Sequence, residues 1–337
     1  MDDRYSRQEL FLQEKGSFTN KHVLLIGVGA LGSALAEMLA RAGIGHITLI
    51  DRDYVDWTNL QRQQLFTEEH AKERLPKAIA AKQRLMEINS DIQITAITAD
   101  AGPIELEELI KKQSPDLLLD GTDNFETRFI INDVSQKYTI PWIYGACVGS
   151  QGISFPIIPG VGPCFHCLLD MLPAEGITCD TVGVISPTVQ MTAAYQGAEA
   201  LKILSGRMAD VRQELIAFDL WKNTFSAIRV ASLQKKDCPS CGSQRHYPFL
   251  QMDNQTRVAV LCGRETVQIR PPKARRYQLH ELASMLQKQG IHVKSNKFLL
   301  SAKLSNKRIV LFQDGRMLIH GTKDITAAKK LYHQLLG

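Results

Sequence analysis

Apolar residues in the first two thirds of the chain fall into short unbroken runs separated by helical stretches, the pattern of strands buried on both faces. Residues 22–26 (HVLLI) form one such run and lead into a cluster of glycines. Ser33 to Ala42 has helix-forming composition, and Gly43 suits its C-terminal stop. A second run, 46–50 (HITLI), ends at Asp51. Strand, turn, helix and strand in that order open a Rossmann-like, doubly wound, mainly parallel sheet. Pro76 followed by KAIAAKQRLMEI starts another helix, with proline in the favoured first turn. Further strands are predicted at 92–97, 116–119 and 141–144. The alternation supports one α/β domain spanning residues 1–245.

After Cys241 the texture changes. Tyr247 to Gln255 has no clear period, and short β-rich runs follow at 257–261 and 266–269. A Pro271-Pro272 break precedes a helical stretch near 277–289. The segment RIVLFQDGRMLIHG reads as a hairpin turning at Asp314-Gly315, and a final helix is predicted over 323–336. Residues 250–337 therefore read as a small α+β domain.

Composition agrees with two ordinary globular domains: 337 residues, 44% hydrophobic and 22% charged, which excludes wholesale disorder. The start, MDDRYSRQEL, has no apolar stretch of the secretory kind, and the apolar run Val23 to Ala36 is broken by three glycines. No membrane association and a cytoplasmic location are the expectation. The net charge of +5 hides an asymmetry. Residues 251–337 carry 16 Lys and Arg against 5 Asp and Glu, whereas the first 250 carry 24 against 30. The basic charges are scattered and lack interleaved aromatics, so a solvated face is favoured and nucleic acid is not an expected partner.

The glycine cluster is Gly27-Val28-Gly29-Ala30-Leu31-Gly32, a G-x-G-x-x-G between a strand and a helix. The first glycine permits a tight turn, the second lets phosphate approach the backbone, and the third lets helix and strand pack closely. Asp51, at the end of the second strand, can accept hydrogen bonds from ribose hydroxyls. NAD is the default ligand of this pattern, and a purely structural glycine turn is the bland alternative. The following residues suit a triphosphate better. Asp53, Asn59, Arg62 and Gln63 lie in DRDYVDWTNLQRQQ, Lys77 follows, and Asp123 comes after the strand 116–119, where a carboxylate can hold Mg²⁺.

Seven cysteines include two C-x-x-C pairs, Cys164/Cys167 and Cys238/Cys241. Their spacing fits a structural four-thiolate Zn²⁺ site tying a returning chain to the domain, and redox pairs are the alternative. Cys147 reads as a buried small hydrophobe and Cys262 as structural or without an assigned role.

These residues carry a resemblance. RYSRQ (4–8), GVGALG (27–32), Asp51 with DWTNLQRQ (56–63), LPKAIAA (75–81), DGTDN (120–124), both cysteine pairs and CDTVGVISP (179–187) resemble the MoeB/ThiF family of ubiquitin-activating-type adenylyltransferases over residues 1 to about 245. The resemblance implies ATP as substrate, with Asp51 on the ribose, Asn59, Arg62 and Lys77 on the phosphates, and Asp123 organising Mg²⁺. Arg7 resembles the family's arginine finger, which crosses a homodimer interface. The implied reaction is adenylation of the Gly-Gly carboxylate of a small ubiquitin-like sulfur carrier. A ThiS-like carrier of thiamine thiazole synthesis leads, and a MoaD-like carrier of molybdopterin synthesis is close behind. A cysteine desulfurase is the implied sulfur source. Cys179 matches a family cysteine that can link covalently to the carrier, and an unreactive loop thiol is the other reading. An NAD-dependent oxidoreductase has only the glycine pattern in its favour.

Overall fold

The computed structural model describes residues 4–13, 18–168, 182–251, 258–260, 265–270, 276–304 and 306–336. It divides into two compact units, Met1–Met252 and Asp253–Gly337.

The first unit is built on one eight-stranded sheet: β1 (His22–Ile26), β2 (His46–Asp51), β3 (Gln93–Thr98), β4 (Leu117–Asp120), β5 (Trp142–Val148), β6 (Gln151–Ile157), β7 (Glu214–Asp219) and β8 (Thr224–Arg229). The spatial order is β3-β2-β1-β4-β5-β6-β7-β8. The first five in that order are parallel, and the last three continue antiparallel. All five residues of β1 are buried, as its central place requires. The chain steps outward from β1 to β2 and β3, then returns to β4 on the other side of β1. That reversal opens a crevice beyond the carboxyl ends of β1 and β4.

Helices on both faces complete the layers. The Ala30–Ala42 helix ends on Gly43 at φ +81°, the left-handed stop that its sequence promised. The Lys77–Ile88 helix begins immediately after Pro76. The Phe125–Tyr138 helix is capped by Asn124, whose side chain accepts from the Thr127 N–H at 2.8 Å. Below it, Trp142, Tyr144, Phe129 and Phe165 interlock, with ring centres 5.0 to 6.3 Å apart. The Ser186–Leu204 helix covers β5 and β6.

The second unit is a six-stranded antiparallel sheet of β9 (Val258–Val260), β10 (Thr266–Ile269), β11 (Val293–Ser295), β12 (Leu299–Leu304), β13 (Lys307–Phe312) and β14 (Met317–His320), in the order β11-β12-β13-β14-β10-β9. Val267, Ile269, Leu300, Ala302, Ile309, Leu311, Met317 and Ile319 alternate along their strands. They share a core with Leu279 and Leu286 of the Leu279–Lys288 helix and Leu331 of the Ile325–Leu336 helix. Gly315, at φ +86°, makes the turn between β13 and β14. The α/β fold with a small α+β appendix is thus the fold that the hydrophobic pattern predicted.

Candidate active site

The crevice at the switch point is made by three glycines in mutual contact. Gly27 adopts φ +86°, and a Cβ there would stand 2.7 Å from the Gly121 carbonyl oxygen. A Cβ on Gly32 would collide with the Gly27 carbonyl, and one on Gly121 would approach the Gly32 Cα to 2.9 Å. The β1 turn, the helix behind it and the β4 loop can therefore meet only as glycines. Gly29 differs: the nearest atom to its Cβ position is the Gly121 oxygen at 3.9 Å. It stands at the N-terminal end of the Ala30–Ala42 helix, where free N–H groups and the helix dipole attract an anion. The space beside Gly29 is open, and an anion there would face these N–H groups.

Asp51 closes one side. Its carboxylate accepts from the Val28 N–H at 2.6 Å and the Asp53 N–H at 2.7 Å, which locks the glycine turn to the end of β2. Burial pushes its pKa up, and the nearby Lys77 ammonium acts in the opposite direction. The Lys77 side chain is 6% exposed, and its Nζ lies 3.4 Å from the Asp53 carboxylate. The backbone holds it there too, since the Lys77 N–H donates to the Asp53 carbonyl at 2.9 Å. The start of one helix is thereby fastened to the end of another element's strand.

Asn59 is buried, and its Oδ1 accepts from the Asp56 N–H at 3.0 Å inside a short helical turn, Trp57–Asn59. Arg62, half-buried, donates to the Thr58 carbonyl at 2.8 Å. Asp123 is exposed in the loop between β4 and the Phe125–Tyr138 helix. Arg7 is exposed on the Ser6–Leu12 helix. Cys179 and Cys262 lie outside the described residues. Cys147 is half-buried rather than buried, in the last three residues of β5, where burial falls off along the strand.

Residues without a role in the sequence reading hold the loop that carries Asp123. Asp120, fully buried at the end of β4, accepts from the Thr122 N–H at 2.8 Å and from Arg128 Nε at 2.9 Å. Arg128 also donates to the Thr122 carbonyl at 2.7 Å and to the Gly145 carbonyl at 3.1 Å. Burial opposes the Arg128 charge most strongly, but Asp120, Tyr144 and Asp123 together outweigh it and raise the pKa. Gln196 donates to the Asp120 carbonyl at 2.9 Å from behind. The only sequence signal for this network was the DGTDN run itself.

The two cysteine pairs meet. Cys164 and Cys238 sulfurs are 3.6 Å apart, Cys167 and Cys241 3.5 Å, and all four lie within 4.8 Å of one another. Four thiolates about 2.3 Å from a tetrahedral ion would be about 3.8 Å apart, so the donor set fits one. Disulfides would need a sulfur separation of about 2.05 Å. The residues inside each pair are pinned by the Phe125–Tyr138 helix: Asn132 accepts from the Phe165 N–H at 2.9 Å, and Asp133 from the Ser240 hydroxyl at 2.5 Å. Among the described residues this is the one cluster of three or more His, Cys, Asp or Glu able to hold a metal. No helix among them is long and apolar enough to cross a membrane.

Comparison with known proteins shows the family of the chain. The chain is 50% identical, over the full length of both, to the sulfur carrier protein ThiS adenylyltransferase of Bacillus subtilis (strain 168). It is 31% identical to the molybdopterin-synthase adenylyltransferase of Escherichia coli (strain K12), over 71% of this chain and 96% of that one. The fold is that of E. coli MccB crystallised with ATP, at TM-score 0.60 and 23% identity over 72% of this chain and 75% of that chain. The ThiF family matches residues 5–240, and on that span the chain belongs to the ThiF family.

Proposed function

We propose that this chain adenylates the C-terminal Gly-Gly carboxylate of a small ubiquitin-like sulfur carrier of the ThiS type, as a step of sulfur transfer in thiamine thiazole biosynthesis. The observation that carries this reading is the 50% identity to a ThiS adenylyltransferase along the whole chain, small second unit included. A MoaD-like carrier is the second reading, favoured by the relative named for molybdopterin synthase, which matches 71% of the chain. A nicotinamide-linked oxidoreductase has only the glycine turn behind it.

In this reading Gly27, Gly29 and Gly32 shape the phosphate cradle, Asp51 receives the ribose, and Asn59, Arg62 and Lys77 hold the phosphates. The carrier carboxylate attacks the α-phosphorus of ATP. The bond to the β-phosphate oxygen breaks, pyrophosphate leaves, and an acyl-adenylate remains. A carboxylate is ionised and nucleophilic at neutral pH, so no general base is required. Positioning and charge neutralisation supply the rate. Asp123 is a single exposed carboxylate, which suits Mg²⁺ shared with substrate phosphates. That ion would neutralise phosphate charge. The four cysteines would hold a Zn²⁺ with all positions filled, a structural site.

A protein substrate agrees with the outer strand β8, beside which Trp221 is 80% exposed and on which Phe225 is 56% exposed. A homodimer in the cytoplasm completes the proposal, with Arg7 reaching the ATP of the second copy. Leu10 and Phe11 stand exposed beside Arg7, as a protein contact would need. A cysteine desulfurase is the proposed donor of persulfide sulfur, and Cys179 the proposed point of an acyl-disulfide adduct, formed when its persulfide displaces AMP from the acyl-adenylate. The test is the mass of each purified Gly-Gly carrier after incubation with this chain and ATP. A ThiS-type carrier should gain one adenylyl group. A gain on the MoaD-type carrier alone transfers the assignment, and no gain on either overturns it.

A further inference from the structure

The Ser6–Leu12 helix has seven residues and no side-chain cap at its N-terminus, too little to hold an orientation by itself. The body of the unit holds it instead. The Tyr5 ring lies directly on Gly43: a Cβ at that glycine would stand 2.5 Å from the ring carbon Cζ and 2.8 Å from the hydroxyl. The hydroxyl accepts from the Asn89 amide at 2.8 Å, and the same nitrogen donates to the Ala40 carbonyl at 2.7 Å. Asn89 is buried, so the tyrosine is seated on a fixed group. The Arg4 guanidinium donates to the Asn89 Oδ1, and Gln8 donates to the Ala42 carbonyl at 2.9 Å. At the far end Arg207 donates to the carbonyl of buried Leu12.

The fastened side determines the free one. Arg7, Leu10 and Phe11 are spaced i, i+3, i+4 and so share one helix face, and all three are exposed. A helix clamped at both ends and along one side presents a guanidinium outward between apolar neighbours.

We propose that Tyr5, its ring seated against Gly43, is a positioning residue for Arg7, fixing the helix so that its guanidinium enters the nucleotide site of a second copy of this chain. The inference rests on the proposed role of Arg7 in that copy. Gly43 has a double duty in it: it ends the Ala30–Ala42 helix and leaves the flat seat that the tyrosine ring needs. A group displaced by about 1 Å can lose roughly 10²-fold in rate, so a loosened mount should be visible in turnover while the body of the protein stays folded.

A double-mutant cycle on the full chain tests this. Carrier-dependent ATP–pyrophosphate exchange is measured for the parent, Tyr5→Ala, Arg7→Ala and the double variant, with sedimentation and thermal midpoint followed alongside. Tyr5→Ala should lower kcat about tenfold or more, and the double variant should match Arg7→Ala within about twofold, because nothing remains to be positioned. Tyr5→Phe, which keeps the ring on Gly43, should recover most of the loss. Tyr5→Leu replaces Tyr5→Ala if the latter fails to fold. Equal fractional losses in both backgrounds would mark Tyr5 as merely structural and overturn the proposal, as would a Tyr5→Ala variant within twofold of the parent. Parental activity in Arg7→Ala would instead overturn the role of Arg7 itself, and the mount with it.

Discussion

Gly29 and Gly32 sit three residues apart in one motif, yet substitution by alanine should damage different properties. A Cβ on Gly32 overlaps the Gly27 carbonyl by more than about 1 Å relative to ordinary contact at 3.4 Å, and its other neighbour is the Gly121 Cα at 3.7 Å. Both are backbone, so no side chain can swing away. Overpacking of this kind costs about 3 kcal/mol, and the better helix propensity of alanine offsets about 1 kcal/mol. The remaining 2 kcal/mol, an order-of-magnitude figure, corresponds to a thermal midpoint lower by roughly 4–8 °C for a unit of this size. At Gly29 the added methyl meets open space, so the midpoint should fall by no more than roughly 3 °C. The same methyl would occupy the proposed phosphate cradle. Losing one charge-assisted hydrogen bond there raises KM for ATP about tenfold or more. Thermal unfolding and ATP–pyrophosphate exchange, run on both variants, read the two effects separately. Equal midpoint losses, or a Gly29→Ala enzyme with unchanged KM, would refute this reading of the cradle.

Arg62→Ala and Lys77→Ala should each cut adenylation roughly 10²-fold. Lys77→Ala should also lower the thermal midpoint, since it removes the cation beside the largely buried Asp53 carboxylate; activity within a few-fold of the parent removes either residue from the site. Metal analysis of freshly purified, unchelated protein should find about one zinc per chain, and Cys238→Ser should lower both zinc content and thermal stability. Protein without zinc would end that assignment. His22 and His46 stack with ring centres 3.9 Å apart, and burial holds both below the ordinary 6.5. The fold keeps them neutral while the unfolded chain takes up protons first, so their contribution is complete above 6.5 and is lost as pH falls below it. The drop in unfolding free energy between about pH 7.5 and about pH 5.5 should shrink in His22→Gln, and an unchanged drop contradicts the sign.

The parallel half of the sheet was legible because its strands are continuous apolar runs punctuated by residues with one backbone meaning. Pro76 and Gly43 mark helix ends for steric reasons that tertiary context does not override. The antiparallel half left no comparable trace. Strand β6 contains Gly152 and Pro156, and the proline is tolerated because β7 pairs only with Gln151 to Ser154. Strand β8 is exposed along nearly its whole length, so no buried face imposes an alternation. The chemistry divides in the same way. The glycines and the cysteine pairs are local patterns, each read from a few adjacent positions. The Asp120–Arg128 pair joins a strand end to a helix interior, and an arginine on a helix ordinarily reads as a surface charge. Only the fold shows that Arg128 is 5% exposed and holds the loop of Asp123. Asn132 and Asp133, which brace the cysteine cluster, were invisible for the same reason.

The most direct test of the adenylation account is exchange of labelled pyrophosphate into ATP by the purified full-length chain, with and without a ThiS-type carrier ending in Gly-Gly. Exchange requires reversible cleavage between the α- and β-phosphates. The account predicts exchange only when the carrier is present, and its loss when the terminal glycine of the carrier is deleted. Absence of exchange with ThiS-type and MoaD-type carriers alike, or exchange indifferent to the carrier terminus, would contradict it.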